Sequence, residues 1–327
     1  MSLSPPISSP FRPIARGYEL DQKEFGSLAD SSHLLGNPEQ LRQKVKDDGY
    51  LYLPGFLRRE DVMAARKVVT DRMMADGFLD PNFPAIDGVV ADVTIVNAAS
   101  VFRPPTGHNP DRVKAYNADD LTRRNQPLLD LLHRGKLMDL FAGYFGGPVL
   151  HYNYVWFRAV SPGLGTPPHC DVVYMGRGTH NLMSTWMPVG DAPLHVGGLM
   201  ILENSHRQAG RLQHYLSRDV DEYCSNGPNA EKIESGEMLA EWDGILSKNP
   251  ASLREKLGGR WLTADYRAGD ILIFTMRTIH ASLDNQSNQV RLSVDTRYQL
   301  ASEPADERFM AENPVPYAVA FKKGRVC

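Results

Sequence analysis

The chain has 327 residues, 42% of them hydrophobic and 23% charged, and this length and composition predict a globular protein with a sizeable buried core. The formal net charge of −3 gives no electrostatic case for nucleic acid or an anionic membrane as a partner. Three scattered cysteines exclude a disulfide framework and a cysteine zinc site, and they favour a reducing, cytoplasmic compartment.

The first 36 residues are predicted to form an extended arm. Four prolines stand within the first 13 residues, and the continuous apolar segment of a secretion signal is absent. The most apolar later stretch, residues 89–102, is interrupted by Asp92 and Asn97, so the sequence predicts no transmembrane helix.

The next third of the chain is predicted to be mainly helical. Asn37 before Pro38, with Gly49 closing the segment, gives the order of N-cap, first-turn proline and C-terminal glycine that is typical of a helix. Further helices are predicted over residues 59–74 and 127–145, where apolar residues recur at helical spacing.

From Val149 onward, short apolar or alternating runs bounded by turn residues predict strands. Many short strands after a helical first third predict a mainly β protein with flanking helices (α+β), built as an antiparallel, barrel-like sandwich. The predicted strands cover residues 150–160, 182–189, 198–202, 270–274, 279–284 and 290–298.

One place in the chain carries His-x-Asp, at His169-Cys170-Asp171, and another histidine, His280, follows far downstream. Residues i and i+2 of a strand point to one face, so His169 and Asp171 are able to bind one metal ion while Cys170 faces away. Two histidines and one carboxylate are the ligand set of non-haem Fe(II) oxygenases. In a chain with ten histidines chance also supplies such a motif, so a structural histidine beside an unrelated aspartate is the competing interpretation.

The sequence after His280 predicts a hairpin that carries a carboxylate-binding arginine. Residues 285–288 are a polar turn cluster, and the sequence beyond them alternates strictly between apolar and polar. A four-residue loop there would pair Ser282 with Arg291 and place both on the face of His280. The planar guanidinium suits a carboxylate of a keto-diacid that chelates iron through its other end, and Ser282 would add a hydroxyl donor. The alternative for Arg291 is a solvated strand arginine.

Taken in order, these motifs resemble the phytanoyl-CoA dioxygenase family of Fe(II)- and 2-oxoglutarate-dependent oxygenases over residues 40–300. The family's usual Pro-Gly-Ser-His turn is replaced by Glu203-Asn204-Ser205-His206, which we interpret as variation at a structural corner. The resemblance rests on residues 48–57, Thr166-Pro167-Pro168-His169-Cys170-Asp171, Trp186, residues 197–206, and His280-Ala281-Ser282 with Arg291.

The resemblance implies a double-stranded β-helix core of the jelly-roll or cupin type. It also implies an enzyme that uses Fe(II) and O₂, converts 2-oxoglutarate to succinate and CO₂, and hydroxylates, desaturates or cyclises a small organic molecule at a C–H bond. The implied site residues are His169, Asp171 and His280 as iron ligands, and Arg291, Ser282, Trp186 and Asn153 at the cosubstrate. For Trp186 the alternative is a core aromatic, and for Asn153 it is an ordinary polar strand residue.

Two functions of other classes compete with this hypothesis. A metallohydrolase would use the same three ligands for Zn²⁺ and an activated water, with no role for Arg291. A jelly-roll binding protein would keep the fold without turnover. Tyr174, Arg177 and Arg103 are candidates for substrate contact, because loops and strand ends near a barrel mouth often bind ligands.

The whole chain, residues 1–327, is predicted to be a single oxygenase domain. Its long insertion has the length and position of a lid over the barrel mouth. In chain order the predicted parts are an arm (1–36), a helical flank (37–146), a β-helix core (147–207 and 268–300), an insertion (208–262) between the core segments, and a C-terminal tail (301–327).

Overall fold

The computed structural model describes residues 11–91, 98–99, 101–102, 118–163, 165–223, 229–238 and 242–311. The helices are α1 (Pro38–Asp48), α2 (Arg59–Ala75), α3 (Ala118–Arg123), α4 (Gln126–His133), α5 (Lys136–Phe145), α6 (Val172–Met175), α7 (Gln213–Leu216), α8 (Ala230–Glu234) and α9 (Pro250–Leu257). The strands are β1 (Ile14–Ala15), β2 (Tyr18–Glu19), β3 (Phe25–Ser27), β4 (Tyr50–Leu53), β5 (Ala98–Ala99), β6 (Val101–Phe102), β7 (Val149–His151), β8 (Trp156–Val160), β9 (Met183–Pro188), β10 (Leu199–Leu202), β11 (Trp261–Thr263), β12 (Ile271–Thr275), β13 (His280–Ser282) and β14 (Arg291–Leu300).

Helix α1 begins and ends where its local sequence predicts. The Asn37 side chain accepts a hydrogen bond from the backbone N–H of Gln40, and Pro38 occupies the first turn. Gly49 ends the helix in the left-handed conformation, with φ of 81°, which glycine adopts without strain. Helix α2 likewise forms over the predicted apolar stripe.

Two predicted elements are wrong because each is divided in two. The single helix expected over residues 127–145 breaks at Arg134, which is extended, and at Gly135, which has φ of 57° and ψ of −133°. The single strand expected over residues 150–160 is interrupted after β7, where the N–H groups of Tyr152 and Asn153 bond to carbonyls outside a regular ladder.

Two sheets form the centre of the fold. The larger sheet has the order β4-β12-β9-β14-β7, with β8 also pairing with β14, and the smaller sheet has the order β13-β10-β11-β3. Helices α1, α2, α4 and α5 cover one face of the larger sheet and share an apolar core with it. The described residues therefore form the mixed, sheet-rich α+β architecture that the sequence predicts.

Strand β14 separates two environments by alternation along the chain. Leu292, Val294 and Tyr298 pack into the core beneath the helices. Arg291, Ser293, Asp295, Arg297 and Gln299 project from the opposite face, which we call the inner face because it looks toward the smaller sheet. Both sets are buried, so the inner face holds polar side chains away from solvent.

The described part of the insertion packs against the His169–Asp171 segment. The Tyr215 hydroxyl accepts a hydrogen bond from the N–H of Cys170 at 2.9 Å. The N–H of Leu246 donates to the carbonyl of Pro168 at 2.9 Å, and the Tyr174 hydroxyl donates to the carbonyl of Asp243 at 2.7 Å. These contacts anchor the insertion beside the metal-binding motif, and its function as a lid stays a prediction.

The N-terminal region is only partly an extended arm. Strand β3 joins the smaller sheet in parallel with β11. The β1–β2 turn binds the carboxylate of Asp284, which accepts hydrogen bonds from the N–H groups of Arg16 and Gly17 at 2.8 Å each. Among the described helices, none is long and apolar enough to cross a membrane.

Candidate metal and cosubstrate site

His169 and His280 meet through an isolated antiparallel bridge, in which the N–H of each residue bonds to the carbonyl of the other at 3.0 Å. Asp171 instead has helical backbone angles, φ −66° and ψ −26°, and precedes α6. The expectation that His169 and Asp171 share a strand is therefore wrong, because the chain turns into a helix at the carboxylate. Cys170 is fully buried in the core on the other side, as expected.

The side chains of His169, Asp171 and His280 form a compact buried cluster. Each offers one ligand atom, and these atoms all lie within 4.8 Å of one another. The Nδ1 of His169 lies 2.8 Å from the carbonyl of Pro167, and that of His280 lies 3.1 Å from the carbonyl of Thr278. Because a protonated Nδ1 donates to each carbonyl, Nε2 of each ring is free to bind a metal.

Burial keeps both imidazoles in the neutral form. It lowers the pKa of His169 to about 3, with His280 adding to the shift, and it also lowers the pKa of His280. Neutral imidazole is the form that coordinates a metal ion. The two rings are therefore ready to act as ligands near neutral pH.

Asp171 is held by two donors on one of its oxygens. Its Oδ2 accepts hydrogen bonds from the Ser184 hydroxyl and from Arg297, the latter at 2.9 Å. Burial raises the pKa of Asp171, but the charge of Arg297, the imidazoles and the Ser184 bond outweigh it, so the pKa lies below its usual range. Its Oδ1 lies 3.7 Å from Nε2 of His280, so one oxygen faces the cluster.

Arg297 uses every nitrogen of its guanidinium. One Nη bonds to Asp171, the other donates to Asp295, and Nε lies 3.2 Å from the sulfur of Met175. The guanidinium also lies over the ring of Trp156, 4.3 Å from its centroid. Arg297 is thus a fully partnered buried cation that fixes the orientation of the Asp171 carboxylate.

Arg291 reaches the interior from the larger sheet, but the predicted hairpin is wrong. Strand β13 pairs with β10, so Ser282 lies opposite Leu199, whereas β14 pairs with β8 and β9. The chain crosses from one sheet to the other between β13 and β14, and the two strands face each other instead of pairing. The solvated-arginine alternative is also wrong, since Arg291 is 1% exposed.

Among the described residues, Arg291 has no carboxylate partner. One Nη donates to the carbonyl of Gly197 at 2.8 Å, and the buried Nε has no acceptor. Burial and the nearby charge of Arg158 lower the pKa of Arg291 to about 9. A buried guanidinium without a counter-charge is costly, so an anion that binds beside it gains a strong interaction.

The other predicted cosubstrate residues are placed differently from one another. Ser282 is buried on β13, and its hydroxyl oxygen accepts the N–H of Thr166 at 2.7 Å, which leaves its own proton to donate. Trp186 is buried on the inner face of β9, and its Nε1 has no acceptor. The structure does not bring Asn153 into the site, because its exposed amide donates to the carbonyls of Met310, at 2.7 Å, and Ala311.

The three residues predicted to contact the substrate also have different surroundings. The ring of Tyr174 meets His169 edge-on, with centroids 5.6 Å apart. Arg177 is engaged by Asp219 at 2.6 Å and by Asp221 at 2.9 Å. Arg103 lies outside the described residues.

The segment Glu203-Asn204-Ser205-His206, which replaces the family's usual Pro-Gly-Ser-His turn, still forms a tight turn. Asn204 adopts the left-handed conformation, with φ of 58°, which asparagine tolerates better than most residues. His206 lies 3.2 Å from the carbonyl of Lys46 through Nε2, as expected of a structural histidine.

Four residues of the site were not predicted from the sequence: Ser184, Arg297, Asp295 and Arg158. For Asp295 and Arg297 the available signal was the alternation of β14, which continues to residue 299 with one polar exception at Thr296 and places Asp295 and Arg297 on the face of Arg291. Apart from the contact of Arg297 with Asp295, two residues away on the same strand, nothing local identifies their partners, because the other contacts join residues 13 to 137 positions apart.

The donor set fits a divalent iron ion and a keto-diacid. Two neutral imidazoles and one oxygen of an ionised carboxylate form the facial triad of non-haem Fe(II) oxygenases. The buried Nε of Arg291 has no acceptor, which is the state expected of a group that receives a ligand carboxylate. The fold and the site together define a β-sandwich oxygenase of the non-haem iron class.

Comparison with known proteins gives the family. The family model of phytanoyl-CoA dioxygenase (PhyH) matches residues 45–293, so the chain belongs to the phytanoyl-CoA dioxygenase family. A curated relative, 1-deoxypentalenic acid 11-beta-hydroxylase from Streptomyces arenae, is 25% identical over 302 residues, which cover 89% of this chain and 91% of the relative. The enzyme of the same name from Streptomyces exfoliatus is 24% identical over 304 residues, with the same coverage.

Solved structures confirm the double-stranded β-helix fold. The non-haem α-ketoglutarate-dependent carbocyclase SnoK from nogalamycin biosynthesis aligns with a TM-score of 0.51 at 14% identity, covering 88% of this chain and 97% of SnoK. EctD from S. alaskensis, solved with 2-oxoglutarate and 5-hydroxyectoine, aligns with a TM-score of 0.50 at 16% identity, covering 97% of this chain and 93% of EctD. The predicted enzyme class is confirmed: the protein is a non-haem Fe(II)- and 2-oxoglutarate-dependent dioxygenase.

Proposed function

We propose that this enzyme oxidises a C–H bond of a small organic molecule, with hydroxylation as the principal outcome. The observation that carries the proposal is the buried cluster of two neutral histidines and one carboxylate, in an interior that also holds the uncompensated Arg291. A zinc hydrolase would give that arginine no function. The curated relatives are named as hydroxylases of a small molecule, and this supports the same reaction type here.

We assign His169, Asp171 and His280 to hold the iron. When bound, iron and 2-oxoglutarate together with O₂ supply the oxidising chemistry, which converts the keto-diacid to succinate and CO₂. Arg291 binds the far carboxylate of 2-oxoglutarate, and Ser282 donates its free hydroxyl proton to the same group. Trp186 contributes an N–H donor from the inner face.

The chain's own residues prepare this site before any ligand arrives. Arg297 and Ser184 occupy Oδ2 of Asp171, so only Oδ1 is presented to the metal position. A carboxylate that binds through one oxygen leaves three of six coordination positions for the cosubstrate and oxygen. The buried surroundings exclude bulk water from the ligand side chains.

A cytoplasmic location remains a prediction from cysteine usage.

The first test is an anaerobic titration of the metal-free protein with Fe(II) and then with 2-oxoglutarate. We expect a weak visible charge-transfer band that appears only after both are present, because the keto acid chelates the iron. Asp171→Ala should reduce iron retention and weaken the band. Candidate substrates are then screened for coupled succinate release and a gain of about 16 Da, the signature of hydroxylation.

A metal-replete protein that gives no band with 2-oxoglutarate would contradict the proposal. Zn²⁺-loaded protein is the companion sample, since hydrolysis of ester or amide substrates by that form, without any need for 2-oxoglutarate, would favour the hydrolase instead.

A further inference from the structure

Arg158 is a third arginine at the site, and neither the metal nor the 2-oxoglutarate carboxylate accounts for it. It lies on β8 opposite Ser293, and its Nε donates to Oδ2 of Asp295 at 3.2 Å. Its strand neighbours Phe157 and Ala159 pack into the helix-side core, so Arg158 projects from the inner face. The described residues provide no acceptor for its two terminal nitrogens.

The inner face carries an excess of positive charge. Three arginines (Arg158, Arg291 and Arg297) stand against two carboxylates (Asp171 and Asp295) among the described residues of this face. Arg297 already bonds to both carboxylates, so Arg158 shares Asp295 with a stronger partner. Within the described part of the chain, one positive charge therefore remains without a counter-charge.

Binding of iron and 2-oxoglutarate does not remove this excess, because the two positive charges of Fe(II) and the two negative charges of the keto-diacid cancel. Arg291 receives the far carboxylate in the proposed function, and the near carboxylate chelates the metal. The charge that remains after loading is the one carried by Arg158. A partly buried guanidinium in this position gains most from a further carboxylate.

The exposed fractions of the three arginines show which of them a carboxylate from solvent can reach. The side chain of Arg158 is 18% exposed, whereas that of Arg297 is 2% exposed and residue Arg291 is 1% exposed. Arg158 is therefore the member of the three that remains accessible from outside.

An apolar surface lies beside this cation. Trp156 precedes Arg158 by two residues on the same face of β8 and is partly exposed. Its ring packs against Tyr154 and Phe309, with centroids 4.5 Å and 5.1 Å away. Tyr154 and Phe309 are buried, so Trp156 is the ring that a ligand can reach, and one aromatic face next to a guanidinium is suited to a molecule with a hydrocarbon body and one carboxylate.

We propose that Arg158 binds a carboxylate of the substrate, and hence that this enzyme acts on small, largely apolar organic acids. The proposal rests on the proposed function, because it assigns the charge that remains once iron and 2-oxoglutarate are bound. Arg158 is a specificity-determining residue in this arrangement. It holds one end of the substrate while the apolar body lies toward the metal.

The test measures binding, so it does not depend on finding the natural substrate. Cyclohexanecarboxylate, 1-adamantanecarboxylate and octanoate, each paired with its primary amide, are titrated anaerobically into the Fe(II)·2-oxoglutarate protein by calorimetry. The expected preference for acid over amide is about tenfold or more, since hydrogen bonds to a charged partner are the strong ones. The preference should disappear in Arg158→Gln and be largely kept in Arg158→Lys.

Arg177→Gln is the matched control, because it removes an arginine that is paired with Asp219 and Asp221 away from the inner face. This variant should keep the acid preference of the parent. Equal binding of acids and amides by the parent, an absence of acid binding, or an unchanged preference in Arg158→Gln would each overturn the proposal.

Two further results are distinguishable from these. If Arg158→Gln weakens 2-oxoglutarate binding and leaves acid binding unchanged, the residue serves the cosubstrate and the proposal is wrong. The charge-transfer band is recorded before any acid is added. Its absence would mean that the proposed function fails, whereas a normal band without acid preference would mean that only the assignment of Arg158 fails.

Discussion

Arg291 and Arg297 are two buried arginines on the same face of one strand, and their surroundings are opposite. Arg297 contacts two carboxylates, a methionine sulfur and an aromatic ring, whereas Arg291 has one carbonyl and an unpaired Nε. Burial lowers the pKa of both, but Asp171 and Asp295 raise the pKa of Arg297 above its ordinary value while that of Arg291 falls to about 9. The protein supplies the partners of Arg297, and we propose that a ligand supplies the missing partner of Arg291.

This difference divides the site into a structural half and a binding half. A buried ion pair with good geometry is destabilised strongly when one partner is removed. A buried charge without a counter-charge does not stabilise the fold, and its retention indicates a function that needs it. The contrast therefore predicts that the same substitution has a large effect on stability at Arg297 and a small one at Arg291.

Arg297→Met should give the largest loss of stability. It leaves Asp171 buried without its cation and Asp295 with only Arg158, so we expect the free energy of unfolding of the metal-free protein to fall by about 3–5 kcal/mol. Urea unfolding followed by circular dichroism measures this change. Arg297→Lys keeps one positive charge and should recover part of the loss. A decrease below about 1 kcal/mol in Arg297→Met would show that the network is not structural.

Arg291→Met should leave the stability of the 2-oxoglutarate-free protein within about 1 kcal/mol of the parent, since an unpaired buried cation is replaced by an apolar side chain. At 2-oxoglutarate concentrations about 100 times its Kd, the iron-loaded parent gains about 2.7 kcal/mol, and the variant should gain almost none. Iron content, measured after anaerobic desalting, should be unchanged. A large loss of stability without ligand would mean that Arg291 has a structural partner, and the comparison with Arg297 would fail.

The local features of the fold follow from sequence, and the long-range ones do not. Asn37, Pro38 and Gly49 fix α1 because capping depends on neighbouring residues. The iron-ligand motif was recognised from its spacing and the family order of motifs. The pairing of Ser282 with Arg291 was wrong because a polar turn between two alternating segments predicts a hairpin equally well whether the strands pair or face each other across a sandwich.

The same reasoning explains why Arg297 and Ser184 were missed. Each contacts Asp171, but they lie 126 and 13 residues away in the chain. A polar residue on an alternating strand is usually solvent-facing, and only the second sheet makes this face an interior. The sequence therefore predicted the three residues of the candidate ligand cluster, and the tertiary structure was needed to identify the residues that orient Asp171.

Ser184→Ala sharpens the structural half of the comparison with a smaller effect. It removes one of two donors to Oδ2 of Asp171 and keeps Arg297, so we expect metal affinity to fall by about tenfold, at the low end for residues that orient a ligand. Titration of the protein with Mn²⁺ measures the change. Ser293→Ala is the control, since that hydroxyl has no partner in the described structure and should not affect the metal. Equal effects of the two variants would contradict the role of Ser184.

Trp186→Phe probes the binding half with the smallest expected effect. The Nε1 of Trp186 is buried without an acceptor among the described residues, so Trp186→Phe removes ring volume but breaks no hydrogen bond of the 2-oxoglutarate-free protein. If the cosubstrate accepts that N–H, its affinity falls by about two- to tenfold, the value of one ordinary hydrogen bond.

Trp261→Phe is the matched control for this last prediction, because its indole is equally buried but donates to the carbonyl of Pro250 at 3.2 Å. We expect this control to lose stability by about 1 kcal/mol and to bind 2-oxoglutarate as the parent does. The two tryptophans thus show the same difference as the two arginines, because the donor of one has a partner in the protein and the donor of the other has none among the described residues. Calorimetric titration with 2-oxoglutarate tests whether Trp186 donates its N–H to the cosubstrate, since an unchanged affinity in Trp186→Phe would mean that Trp186 is only a core aromatic.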